Sequence, residues 1–198
     1  DDGVNLYDRR TGRFSEYTIR SGSLLSDNVK CILPDAGGVL WIGTHAGGLT
    51  RMETTSHRTR HYRISASIPI NNSCYSLLDG GDGTLWVGTL NGLISFDKTT
   101  GAFTRHPCAD YYPPLSSLQI NTLYRDSKRR VWIGTSTGLL LYLPQSHEVR
   151  AFDPMIVSNA ATPPRRDLAV MCVMEDSRRN IWIGTRQGLF RYNGADNT

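Results

Sequence analysis

Two histidines four residues apart, His57 and His61, have the spacing with which one turn of a helix presents a pair of metal ligands. The residues around them read as strand or hairpin, where four residues span roughly 13 Å, so this pair is too far apart to share an ion. Asp79-Gly80-Gly81-Asp82-Gly83 is the densest acidic cluster, but it carries too few oxygen ligands for calcium and has the composition of a tight turn. The chain contains no G-x-S-x-G, no H-E-x-x-H and no phosphate-binding loop. No catalytic residue, metal ligand or cofactor is therefore assigned. What remains is binding chemistry. His45, Asn91, Ser136, Thr137, Arg186 and Gln187 form one set of hydrogen-bonding side chains, and Tyr111, Tyr112, Arg165 and Arg166 form a second. A tyrosine face packs on C–H bonds while Arg, Asn and Gln read hydroxyls, a combination suited to a sugar.

These residues are scattered along the chain, and a repeat is what would gather them. Leu40-Trp41-Ile42-Gly43-Thr44 returns as Leu85-Trp86-Val87-Gly88-Thr89, Val131-Trp132-Ile133-Gly134-Thr135 and Ile181-Trp182-Ile183-Gly184-Thr185. The four tryptophans stand 45, 46 and 50 residues apart, the period of a four-stranded propeller blade and too long for leucine-rich, ankyrin or tetratricopeptide repeats. An apolar segment precedes each Trp strand: Val29 to Leu33, Cys74 to Leu78, Ile120 to Tyr124 and Val170 to Met174. Between segment and strand lies a polar turn, with Asp35, Asp126 and Asp176 six residues before their Trp and Gly38 and Gly83 three before. Gly48-Leu49, Gly92-Leu93, Gly138-Leu139 and Gly188-Leu189 open a third strand. A hairpin typified by Asp97-Lys98-Thr99-Thr100-Gly101-Ala102-Phe103 leads to a fourth. Recurrent glycine and short β-branched runs exclude helices.

The predicted fold is all-β, built of β-propeller blades. Along the Trp strand, Leu40 and Ile42 point to one face and Trp41 and Gly43 to the other, so both faces are apolar and each sheet must be covered on both sides. The divisions expected are the outer strands of an incomplete blade over 1–20, blades over 21–65, 66–110 and 111–155, and a blade lacking its last strand over 156–198. Gly3-Val4-Asn5-Leu6-Tyr7-Asp8 aligns with Gly92-Leu93-Ile94-Ser95-Phe96-Asp97, so the chain opens on third and fourth strands and closes at Tyr192 on a third. One reading is a closed four-blade ring in which the N-terminal outer strand completes the last blade, but the duplicated third strand fits it imperfectly; the preferred reading is an arc of a larger propeller, able to associate with itself or with further blades, and the absence of an initiator Met or apolar leader before Asp1 reads as a processed or excised piece. In a blade, the first set of binding residues falls in the turns between second and third strands and the second in blade-to-blade connections, which converge near the axis.

Composition is ordinary, at 39% apolar and 20% charged residues. No window approaches a membrane span, so any membrane association would come through a longer protein. A net charge of +4 is too small to announce a nucleic-acid partner. Lys128, Arg129, Arg130, Arg178 and Arg179 share one turn in two successive repeats and would form a basic rim. Cys31, Cys74, Cys108 and Cys172 make no CxxC pair. Cys31 and Cys172, each ten residues before a Trp, read as equivalent buried small hydrophobes. The sequon Asn71-Asn72-Ser73 reads as a loop.

The repeats resemble those of the two-component regulator propeller family, whose blades carry D-x-x-G-x-L-W-I-G-T-x-x-G-L followed by Y-D-x-x-T-G-x-F. Arg129 and Arg179 replace that pattern's turn glycine in the last two copies. The resemblance implies a non-enzymatic periplasmic sensor segment of a hybrid two-component regulator, responding to an oligosaccharide or other small ligand, with the histidine kinase elsewhere in the polypeptide. A propeller-type lyase using His45 and a protein-interaction scaffold are the alternatives.

Overall fold

The computed structural model describes residues 3–105, 118–146, 148–152 and 168–193. The chain begins with a two-stranded hairpin, β1 (Val4–Asp8) and β2 (Arg13–Tyr17). Blade 1 comprises β3 (Val29–Asp35), β4 (Val39–Thr44), β5 (Gly48–Glu53) and β6 (Thr59–Tyr62). Blade 2 comprises β7 (Cys74–Asp79), β8 (Thr84–Thr89), β9 (Gly92–Asp97) and β10 (Phe103–Arg105). Blade 3 comprises β11 (Ile120–Arg125), β12 (Val131–Thr135), β13 (Leu139–Leu143) and β14 (Glu148–Phe152). Blade 4 has three strands among the described residues, β15 (Val170–Glu175), β16 (Asn180–Thr185) and β17 (Gly188–Asn193). Each sheet is antiparallel with its strands in chain order, so the chain is all-β and its sheets are propeller blades. One departure is a short 3-10 turn, Pro69–Asn72, where a loop is expected. Asn72 is buried there and bonds the Ser65 backbone through both ends of its amide.

Two compact units form, one of Asp1–Leu90 with Ser95–Thr104 and one of Asn91–Ile94 with Arg105–Thr198. In the first, the hairpin covers one face of blade 1, with Tyr17 and Val4 packed among Leu24, Leu40, Ile42 and Met52. Tyr17 also bonds His57 Nδ1 through its hydroxyl, at 2.5 Å, in the turn after β5. The opposite face of blade 1, which carries Trp41, Gly43 and Leu49, packs on blade 2. Trp41 meets the edge of Phe96 with ring centroids 5.3 Å apart, and Leu49 is fully buried. Gly43 is required there: a Cβ would fall 2.5 Å from Cys31 Sγ and 2.9 Å from Cys74 Cβ. In the second unit the same face of blade 3 meets blade 4. Trp132 and Leu139 cluster with Val170, Val173, Ile181, Ile183 and Tyr192.

The first turn of each blade has a common chemistry. Asp35, Asp126 and Asp176 each accept the indole N–H of the Trp six residues on, at 2.8, 2.9 and 2.8 Å. In blades 3 and 4 the other carboxylate oxygen accepts backbone N–H groups from two and four residues on. Blade 2 has Gly80 at this place, and its turn is built instead on Asp79 and Asp82. Gly38 and Gly83 adopt φ of 72° and 84°, and Arg129 and Arg179, standing where the family pattern has glycine, keep the left-handed conformation at 63° and 65°.

Cys31 and Cys172 are not equivalent in environment. The Cys31 thiol lies against Cys74 O in the interface of blades 1 and 2, 3.8 Å away. Cys172 is exposed, and among the described residues of its unit no strand covers that face of blade 4. The rule that paired both as buried small hydrophobes holds only where a next blade is present.

Candidate functional site

The turn between the second and third strands is fixed by two bonds that recur in blades 1, 3 and 4. The hydroxyl of the closing Thr reaches across the turn to a glycine carbonyl: Thr44 to Gly48 at 3.1 Å, Thr135 to Gly138 at 2.9 Å and Thr185 to Gly188 at 2.8 Å. The next residue's N–H donates to the residue just ahead of the blade's innermost strand: His45 to Asn28 O at 2.8 Å, Ser136 to Gln119 O at 3.0 Å and Arg186 to Ala169 O at 3.1 Å. The WIGT threonine is thus a turn clamp, and the side chain after it is displayed beside the start of the inner strand from a backbone that is already bonded.

The inner strands share a further feature. Pairing with the Trp strand slips by one residue between Val29 and Cys31, Cys74 and Ser76, Ile120 and Thr122, and Val170 and Cys172. Each slip is a β-bulge, which leaves one residue out of the ladder and re-aims its side chain. Those residues are Lys30, Tyr75, Asn121 and Met171, at the same end of each blade as the turns just described. They are the addition the structure makes to the candidate set. Nothing in their types announces them, and only the repeated register makes them equivalent.

Within the first unit, His45 sits 3.3 Å from Ser73 Oγ through Nδ1 and stands edge-on to Tyr75, ring centroids 6.4 Å apart. A Ser–His pair suggests a nucleophile and its base. Ser73 has no exposed surface, however, and its oxygen also accepts the Ala46 N–H at 3.1 Å, which makes the pair an anchor for the turn. In the second unit, Thr137 bonds Thr135 Oγ1 through its N–H at 3.1 Å, and Gln187 bonds Thr185 Oγ1 in the same way at 3.1 Å. Thr137, Arg186 and Gln187 are exposed and Ser136 is half-buried. No bond joins Ser136 or Thr137 to Arg186 among the described residues. Asn91 is exposed in the corresponding turn of blade 2. Tyr111, Tyr112, Arg165 and Arg166 lie outside the described residues.

The opposite end of the blades is committed to structure. Lys98 bridges blades 1 and 2 by ion pairs of 2.9 Å to both Asp35 and Asp79. In the second unit, Glu175 accepts the Ser127 N–H and hydroxyl, each at 2.7 Å. The expected basic rim is partly consumed: Arg130 is tied to Asp126 at 2.6 Å and lies over the Trp132 ring. His57 and His61 serve separate partners, Tyr17 and Thr50. No group of three His, Cys, Asp or Glu residues able to hold a metal occurs among the described residues.

Three stretches, residues 23–46, 114–137 and 165–187, match the family model described as two component regulator propeller. Each ends at or beside one of the strand-two to strand-three turns. No curated protein matches the chain by sequence. Among solved structures, the chain is similar to the extracellular domain described as that of a hybrid two component system from B. thetaiotaomicron, with TM-score 0.75 and 20% identity over 96% of this chain and 24% of that one. A second such domain from the same organism gives TM-score 0.64 and 20% identity over 98% of this chain and 31% of that one. A virginiamycin B lyase from Staphylococcus aureus, solved with quinupristin in a catalytically inactive form, gives TM-score 0.68 and 15% identity over 100% of this chain and 61% of that one. The chain thus spans about a quarter to a third of the two component system domains it matches.

Proposed function

We propose that this chain, three stretches of which match the two component regulator propeller model, is a non-enzymatic, periplasmic sensing segment of a hybrid two-component regulator, and that it binds an oligosaccharide at the strand-two to strand-three turns. The observation that carries the binding reading is the repeated bond from His45, Ser136 and Arg186 N–H to the start of each inner strand. A weak, multi-hydroxyl ligand gains most from donors and acceptors already held in place, because little side-chain or loop entropy is then lost on binding. In the second unit Asn91, Thr137, Arg186 and Gln187 supply planar or hydroxyl groups; in the first, separately, Tyr75 at the bulge supplies a ring face. The solved neighbours described as extracellular domains of hybrid two component systems support the signalling role and the compartment. In the described residues no helix is long and apolar enough to cross a membrane. A bound ligand signals only through a difference in affinity between two arrangements of the sensor, and in this reading the output kinase lies elsewhere in a longer polypeptide.

The lyase reading draws on one solved neighbour and on His45. Elimination needs a base and an acid converging on one reacting carbon, and among the described residues the side-chain contacts of His45 are the buried Ser73 and the ring of Tyr75. Calorimetric titration with a panel of neutral and acidic oligosaccharides separates the readings. The sensor reading expects saturable binding without turnover, weakened at least about tenfold by Arg186→Ala. Product formation abolished by His45→Ala would overturn it in favour of the lyase, and binding of proteins alone would favour the scaffold.

A further inference from the structure

The hollow beneath a Trp-strand glycine is shared by two successive blades. In the second unit, a Cβ on Gly134 would fall 2.5 Å from Thr122 Cγ2 and 2.7 Å from Val170 Cγ1. Thr122 is the first paired residue after the bulge in β11, and Val170 opens β15 of the next blade. One methyl group from each blade thus fills the space that the glycine leaves. Register gives the same two places in the first unit to Cys31 and Cys74: Cys31 follows the bulge and pairs with Gly43, and Cys74 opens β7 and pairs with Thr89. A contact that one unit makes with two methyl groups is made in the other with two cysteines.

The two sulfurs are placed unequally. Cys31 Sγ lies in the hollow, 2.5 Å from where a Gly43 Cβ would be, and Cys74 Cβ lies 2.9 Å from the same point. The Cys74 thiol points elsewhere, to Asn72 O at 3.7 Å, while Cys31 Sγ rests 3.8 Å from Cys74 O. Rotating Cys74 about its Cα–Cβ bond to the direction that Val170 Cγ1 takes would bring its sulfur into the hollow beside Cys31 Sγ. A sulfur–sulfur bond is shorter than a contact between two methyl groups, so the hollow has room for it. Among the described residues no third His, Cys, Asp or Glu completes a metal-holding group with the pair.

We propose that Cys31 and Cys74 are a modification site, at which a disulfide closes across the interface of blades 1 and 2. The reaction is thiol–disulfide exchange with a small disulfide oxidant. Cys31, the less buried of the two, attacks the oxidant as thiolate and displaces one of its halves. Cys74 then attacks the Cys31 sulfur of the mixed disulfide and displaces the other half. Two electrons pass from the pair to the oxidant, whose halves leave as thiols carrying the two protons that the cysteines give up. The packed interface shields both sulfurs, so exchange takes place as the blades come together in folding. The link joins positions 43 apart. Cys31 follows the bulge residue Lys30 and Cys74 precedes Tyr75, so the link pins the interface at the end where His45 meets Tyr75. The extracytoplasmic placement proposed above is the kind of compartment in which such bonds form. The test supplies its own oxidant, so its outcome is independent of that placement and of any ligand.

The whole chain is unfolded in urea with reductant, refolded in a mixture of reduced and oxidised glutathione, alkylated and digested. Mass spectrometry is expected to find the Cys31 and Cys74 peptides joined, two hydrogens lighter than their sum. The urea midpoint of the refolded chain is expected to shift upward relative to the same chain after reduction. Cys108→Ser with Cys172→Ser should keep both the link and that shift. Cys31→Thr with Cys74→Val copies the Thr122 and Val170 contact, so this variant should fold as the reduced parent does and lose both. Recovery of Cys31 and Cys74 as free thiols or as separate glutathione adducts would overturn the proposal. So would a different pairing as the main product, or a midpoint that the link leaves unchanged or lowers.

Discussion

Trp132 donates its indole N–H to Asp126 Oδ2 at 2.9 Å, and the same oxygen receives Arg130 Nε at 2.6 Å while Oδ1 takes the backbone N–H of Lys128 and Arg130. The carboxylate is buried, yet both its oxygens are bonded. Removing it strands an indole N–H and a half-buried guanidinium at once. Asp126→Ala is therefore expected to cost about 3–5 kcal/mol, the range for breaking a buried pair by deleting one member. Asp126→Asn, which keeps acceptors on the same scaffold, should cost less. Urea unfolding of both variants checks the ordering.

The left-handed residues of the same turns make a second comparison. Arg129 and Arg179 adopt φ near 64° without the freedom glycine has there, and such a conformation costs an L-residue roughly 1 kcal/mol. Arg129→Gly relieves that strain but loosens the unfolded chain, so the variant should be between neutral and about 1 kcal/mol more stable. Gly83→Ala runs the other way. Its Cβ would meet nothing within 4 Å, so the expected loss of about 1 kcal/mol reports backbone conformation alone. The thermal midpoint should fall for Gly83→Ala and hold or rise for Arg129→Gly.

The sequence made the all-β class, strand order and turn residues legible because each is written several times over in the chain. Four copies of the Trp strand expose the alternation that puts Trp41 and Ile42 on opposite faces, and that alternation survives intact in the sheets. The aspartate six residues before Trp was readable as a turn former. Its bond to the indole was not, since that depends on the hairpin folding the two back to within bonding distance. The bulges at Lys30, Tyr75, Asn121 and Met171 leave no mark in residue type, being a matter of register. Cys172 misled because burial belongs to the neighbouring blade as much as to the residue. His45, Ser136 and Arg186 could be placed in their turns from the Gly-Thr that precedes them, but the bond that fixes each turn is to a residue some 17 positions back, Asn28, Gln119 or Ala169, with no pattern of its own.

Acid should weaken the fold through the turn carboxylates. Bonds from Asn180 and then Trp182 hold the Asp176 carboxyl down to about 2, against 3.8 for a free aspartate. Asp35 is also lowered: partial burial opposes ionisation, but the Trp41 indole and the Lys98 ammonium outweigh it. A carboxylate whose folded value is depressed contributes stability that is complete above its unfolded value and lost as pH falls through the folded one. Denaturant midpoints are therefore expected to hold down to about pH 4 and to fall from there to about pH 2. Asp176→Asn should flatten part of that slope while leaving the neutral-pH plateau lower. A midpoint that stays level from pH 4 to pH 2 in the parent would contradict the assignment.

Thiol chemistry should separate the cysteines by blade environment. Burial pushes the Cys31 thiol up to about 12 and raises Cys74 as well, with the nearby Cys31 adding to the effect, so at neutral pH neither supplies the thiolate that reacts. Cys172, at the same place in its repeat as Cys31, is exposed. In dilute native protein, iodoacetamide is expected to modify Cys172 while Cys31 and Cys74 stay unmodified until denaturant is added, as read by mass spectrometry of the digested chain. Equal labelling of Cys31 and Cys172 in the native state would mean that blades 1 and 2 open readily.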